Sequence, residues 1–153
     1  MYEVIIPSRE DWKRRPHRMA DTINIFTDGS KLNNQAGRGV YSAEMGIYES
    51  FRLPDLCSVY QAEVTSTQAA MMHIDKMKPN MRVIYLFSDS QSALKALDSC
   101  VYNSKTIREC RRSLNEMAKY YKIILISVPG HKDIEDDCIA DELARKGTTH
   151  TYL

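Results

Sequence analysis

No Cys-x-x-Cys pair occurs among the four cysteines of this 153-residue chain, which removes the usual ligand spacing of a zinc ribbon or a redox dithiol. Cys57, Cys100, Cys110 and Cys138 therefore read as small reduced residues without disulfides, as suits an intracellular chain. Long apolar runs are also missing. IILISV, at 123–128, is among the longest and is far too short to span a bilayer, and the N-terminus is basic rather than signal-like. The expectation is a soluble chain with no membrane partner. Charge of one sign is lacking too: 21 Lys and Arg face 20 Asp and Glu, for a net +1. Such a balance argues neither for nor against a nucleic-acid partner, because phosphate binding depends on local placement. KRRPHR, at 13–18, is a local basic cluster and reads as a solvated arm. Repeats and low-complexity segments are absent.

The length suits one domain with a single core. Residues 1–21 carry charge, two prolines and no sustained period, so they read as a leader or linker in which IPSREDW forms a small anchored element. The domain proper is expected over 22–153. TINIFTD reads as a strand, and GRGVYSAEMGIY followed by ESFRLP as the rest of an antiparallel meander. YQAEVTSTQAAMMHIDKM, at 60–77, sets Val64, Thr67, Met71, Ile74 and Met77 on one helical stripe, leaving His73 off it and solvated. RVIYLFSD and KIILISV are apolar on both faces, as strands covered on both sides are. Helices are expected at 90–97, capped by Ser90, at 104–121, and in the segment ending at Gly147. This order predicts an α/β domain with a mixed sheet and helices on both faces.

Asp28 and Asp89 each close an apolar strand. If those strands are parallel neighbours, about 4.8 Å apart, the two carboxylates meet at one edge and repel unless a cation lies between them. Glu63, early in the first long helix, and Asp141, beside two alanines in the last, fall among small or apolar residues and can complete the site. Oxygen donors of this kind suit Mg²⁺ or Mn²⁺, and paired ions suit in-line displacement at phosphorus. Each acid also has a plain reading, as turn residue, helix cap, first-turn acid or helix surface charge. The four together favour the site.

FTDGSK, YQAEV, FSDSQSAL and VPGHKDIEDDCIADELARKG, in this order and spacing, resemble a type I ribonuclease H domain of the kind found in retroelement reverse-transcriptase polyproteins. The leader IPSREDW resembles the connector before that domain in non-LTR retrotransposon proteins. The resemblance implies a ribonuclease H-like fold with a five-stranded mixed sheet, three antiparallel strands then two parallel. It implies a site of Asp28, Glu63, Asp89 and Asp141 binding two Mg²⁺ ions, with Mn²⁺ a substitute, that hydrolyses the RNA strand of RNA/DNA hybrids. His131 matches a histidine that assists proton transfer or product release. Gly29, Ser30 and Gln91 match residues that meet the hybrid, and Ser58 one that faces a DNA phosphate.

Departures from the family pattern concern substrate more than metal. Leu56 stands where a basic companion of Ser58 is usual, Ser127 replaces a tryptophan, and Asp136, Asp137 and Cys138 replace Gly-Asn-Glu, so an amide becomes the acid Asp137. No long basic insertion lies between 97 and 105. Low hybrid affinity is expected for this piece alone, with the reverse-transcriptase portion of the same polyprotein as partner and the isolated domain a monomer. The rival expectation is a catalytically weak or inactive module kept for nucleic-acid or protein binding.

Overall fold

The computed structural model describes residues 2–14, 21–55, 57–98, 104–128 and 135–150. Six strands, β1 (Glu3–Ile5), β2 (Thr22–Leu32), β3 (Gln35–Ser42), β4 (Ile47–Leu53), β5 (Val83–Ser88) and β6 (Lys122–Ser127), form one sheet in the order β1-β6-β5-β2-β3-β4. The described residues also form five helices: α1 (Arg9–Arg14), α2 (Val59–Met77), α3 (Gln91–Asp98), α4 (Lys105–Ala118) and α5 (Glu135–Gly147). The mixed α/β architecture agrees with the expected fold class, but the sheet has six strands rather than five. The extra one comes from the leader. β1 pairs in parallel with β6, and three residues with no periodic signal are enough because the neighbouring strand supplies the template.

β2 and β5 are parallel neighbours, Thr22 opposite Val83 through Phe26 opposite Phe87, and β6 runs parallel on the far side of β5. β2, β3 and β4 form the antiparallel meander. Its second turn lies at 43–46, where Gly46 takes a φ of 66°, so GRGVYSAEMGIY spans a turn instead of one strand.

Alternation along the strands divides the core in two. Ile23, Ile25, Ile84, Leu86, Ile123 and Leu125 pack with Val64, Met71 and Ile74 of α2 and with Ile107, Cys110 and Leu114 of α4. On the other face Phe26, Phe87, Ile124 and Ile126 meet Ala140 of α5, with Trp12 of α1 at the border. Helices thus cover both faces. Met77, expected on the apolar stripe of α2, is about half exposed, because the helix stops there and Lys78 turns left-handed at φ 47°. His73 is half-buried, with its Nε2 2.7 Å from Glu49 Oε2, rather than solvated. Cys110 is buried beside the Val64 carbonyl, 3.7 Å away, and burial pushes its thiol up to about 12. Among the described residues, no helix is long and apolar enough to cross a membrane.

Candidate metal centre

Asp28 does not end its strand. β2 continues to Leu32 because it keeps its pairing with β3 after the pairing with β5 has stopped at Phe26 and Phe87. Asp28 therefore stands just beyond the end of β5, at a step in the sheet where a central strand has neighbours on one side only. Asp89 follows the last residue of β5, so the two acids do meet at the carboxyl edge of parallel strands, where open α/β sheets gather ligands.

Glu63 reaches the same place through a close approach of α2. A Cβ built at Gly29 would lie 2.4 Å from the Glu63 backbone nitrogen and 2.5 Å from the Ala62 carbonyl carbon, so only a glycine lets α2 come down on β2 here. On the opposite face Gly39 does the same for α5: its Cβ would lie 2.4 Å from the Ala140 carbonyl oxygen and 2.6 Å from the Ala144 nitrogen. Gly37, two residues earlier, is as tight against α5. These glycines set where Asp141 arrives, and sequence reading gave the β3 pair no role. The available signal was GRG in a strand, two bare positions on one face, which marks the close passage of another backbone.

Carboxylate oxygens of Asp28, Glu63 and Asp89 all lie within 4.8 Å of one another. Asp28 and Glu63 are buried, at 4% and 7% exposure. Asp141 lies outside that group but beside it: its carboxyl adds to the rise at Asp28 and Glu63, and its Oδ2 pairs with Arg145 Nη2 at 2.9 Å. Two full charges at such a separation repel by about 3 to 4 kcal/mol at an effective dielectric near 20. Burial first, then the charges of Glu63 and Asp89, hold the Asp28 carboxyl far above the ordinary carboxylate range. Burial also raises Glu63, against a hydrogen bond from Asp28 that pulls it down. Glu63 Oε2 is buried with no hydrogen-bond partner among the described residues.

Asp137 lies in the same neighbourhood. It is 2% exposed, and burial followed by the charges of Asp89, Asp141 and Glu63 pushes its carboxyl up to about 8. Acids whose burial and mutual charge raise Asp28 and Asp137, with buried oxygens of Glu63 and Asp137 left unpartnered among the described residues, fit a divalent cation. Asp28, Glu63 and Asp89 could hold it.

The remaining candidates take different positions. Ser30 is half-buried two residues past Asp28 on the same face of β2, and Gln91 is exposed as the first residue of α3. Ser58 is the N-cap of α2: its Oγ accepts from the Gln61 nitrogen at 3.0 Å, while its own nitrogen donates to Gln61 Oε1 at 2.9 Å. Helix capping alone accounts for a serine there. Ser127 is buried in β6 opposite Ser88. His131 and Leu56 lie outside the described residues.

The RNase H family model matches residues 20–149. The chain belongs to the RNase H family. Among solved structures, RNase H1 from the halophilic archaeon Halobacterium salinarum NRC-1 is similar, with a TM-score of 0.61 and 22% identity over 82% of this chain and 96% of that one. The N-terminal RNase H domain of Rv2228c from Mycobacterium tuberculosis, solved as a fusion with maltose-binding protein, gives 0.61 and 17% over 83% and 98%. These likenesses concern the fold. No curated protein matches the sequence significantly.

Proposed function

We propose that this chain is an endonuclease that hydrolyses the RNA strand of RNA/DNA hybrids, with two Mg²⁺ ions, or Mn²⁺ in their place, held by Asp28, Glu63, Asp89 and Asp141. The observation that carries the reading is the convergence of three carboxylates within 4.8 Å at the sheet edge, two of them buried. Such a cluster is stable as ionised groups only around positive charge. Bound divalent ions would supply a nucleophilic water at neutral pH and a counter-charge for the attacking and leaving oxygens. The protein's own part is to fix those carboxylates on rigid elements and to receive the hybrid. In this reading Ser30 meets the RNA backbone beside Gly29, which is itself buried under α2, Gln91 reaches the minor groove where 2′-hydroxyls mark RNA, and Ser58 faces the DNA strand. His131 moves a proton or helps the product leave.

The finer context is that of a retroelement polyprotein, inside the cell, in which a reverse-transcriptase portion of the same chain supplies most of the grip. It rests on the resemblance of the leader and the four sequence blocks. The test uses labelled hybrid, duplex RNA and duplex DNA with Mg²⁺, Mn²⁺ or chelator, beside Asp89→Asn. Hybrid-selective RNA cutting that needs metal and is lost in the variant is the expected result. Binding without cutting in any metal would overturn it in favour of a non-catalytic module, and equal cutting of all three duplexes would point to a different nuclease.

A further inference from the structure

Helix α5 carries a second acid towards the carboxylate cluster. Asp137 precedes Asp141 by one turn, and residues four apart share a helix face. Its surroundings are unusual for a structural aspartate. A buried acid ordinarily pairs with a cation or accepts hydrogen bonds from backbone amides, since burying an unpaired carboxylate costs several kcal/mol or more. Asp137 is 2% exposed, yet its Oδ2 has no hydrogen-bond partner among the described residues. Among the described residues, the charges that act on it are those of Asp89, Asp141 and Glu63, all acids. Asp137 thus places an orphaned buried oxygen one helical turn from Asp141, beside but outside the group of Asp28, Glu63 and Asp89, with no positive charge against it among the described residues.

We infer that Asp137 is a fifth carboxylate of the cation site and strengthens its hold on a divalent ion. The inference rests on the metal-dependent reading above. An amide at this position would leave four acids; the carboxylate adds a negative charge in a desolvated place, where charge acts most strongly. Asp137 thus makes the site a tighter trap for hard divalent cations, before any nucleic acid arrives.

Metal binding without substrate tests this. The full chain, Asp137→Asn, Asp137→Ser and Asp89→Asn are titrated with Mn²⁺ by calorimetry at pH 7.5, and the Mn²⁺-induced rise in melting temperature is measured in parallel. Both neutral substitutions at 137 are expected to weaken Mn²⁺ binding roughly tenfold or more, with a smaller thermal shift and an unchanged circular dichroism spectrum. Mn²⁺ affinity within about twofold of wild type in Asp137→Asn, together with loss in Asp89→Asn, would overturn the role of Asp137 and leave the metal-dependent reading standing. Undiminished affinity in Asp89→Asn, or no binding by the wild type at millimolar Mn²⁺, would sink that reading and this inference with it. Failure of both position-137 variants to fold would assign the carboxyl to the fold rather than to the ion, and overturns the inference too.

Discussion

Asp28 on β2 stands directly opposite Gly39 on β3, and the bare glycine lets α5 settle onto the sheet at Ala140, the residue before Asp141. One cross-strand pair therefore joins an acid of the site to the missing side chain that admits another. The spacing of the cluster depends on what Gly39 lacks as much as on the acids themselves.

Gly39→Ala should therefore affect both stability and catalysis. The new methyl would meet backbone rather than a flexible side-chain end, so α5 must shift. A loss of about 1 to 3 kcal/mol is expected in urea unfolding, with a fall in kcat on hybrid larger than the change in KM. Unaltered stability and rate would mean that α5 does not rest on this strand.

Metal-free protein should lose stability as pH rises. Burial and neighbouring acids raise Asp28 and Asp137, and burial raises Glu63. A carboxyl whose folded pKa lies above its unfolded value keeps a proton that the unfolded chain has released. Its stabilising effect is complete below the unfolded pKa and is lost as pH climbs through the folded one. For Asp137 that window runs from 3.8 to about 8. In chelator the melting temperature should fall across this range, and added Mg²⁺ or Mn²⁺ should restore it at the alkaline end. A flat or rising profile without metal would contradict this account.

Ser58 offers a way to separate capping from substrate contact. Ser58→Ala removes the acceptor for the Gln61 nitrogen and should cost about 1 kcal/mol. Ser58→Asp keeps an acceptor at the N-cap, so stability should be retained while a negative charge is added. If Ser58 also faces a DNA phosphate, the hybrid KM rises in the aspartate variant at low salt. Equal KM values for serine, alanine and aspartate would confine the residue to its helix.

Trp12 reports whether the leader docks. This single tryptophan packs edge-on to Phe87 with ring centres 5.9 Å apart, and Phe87 stacks on Phe26 at 4.5 Å. Trp12→Ala is expected to lower stability by about 1 to 2 kcal/mol. Tryptophan emission in the native protein should shift to the red at the same urea concentration as the loss of far-ultraviolet dichroism. An earlier fluorescence transition would mean that α1 detaches before the domain unfolds.

Much of the framework was legible because local patterns carried it. The doubly apolar runs at β5 and β6 match their burial on both faces, and Ile107, Cys110, Leu114 and Met117 of α4 are buried as their spacing predicts. Ser90 caps α3, accepting from the Ala93 nitrogen at 3.3 Å. Local patterns failed where partners distant in the chain decide. β1 exists through β6, β2 outruns its expected end through β3, and His73 is drawn to Glu49 on a neighbouring strand.

The chain alone determined which acids were available and on which elements they fall, since identity, periodicity and order are properties of sequence. Only the tertiary structure decided that Asp28, Glu63 and Asp89 come within 4.8 Å of one another, that the charge of Asp141 acts on Glu63, and that Asp137 is buried where the charges of Asp89, Asp141 and Glu63 act on it. The physical reason is that charge repulsion and desolvation depend on what surrounds a carboxylate. At this site those surroundings are assembled by helices from both faces of the sheet, brought close by glycines whose effect is to leave space empty.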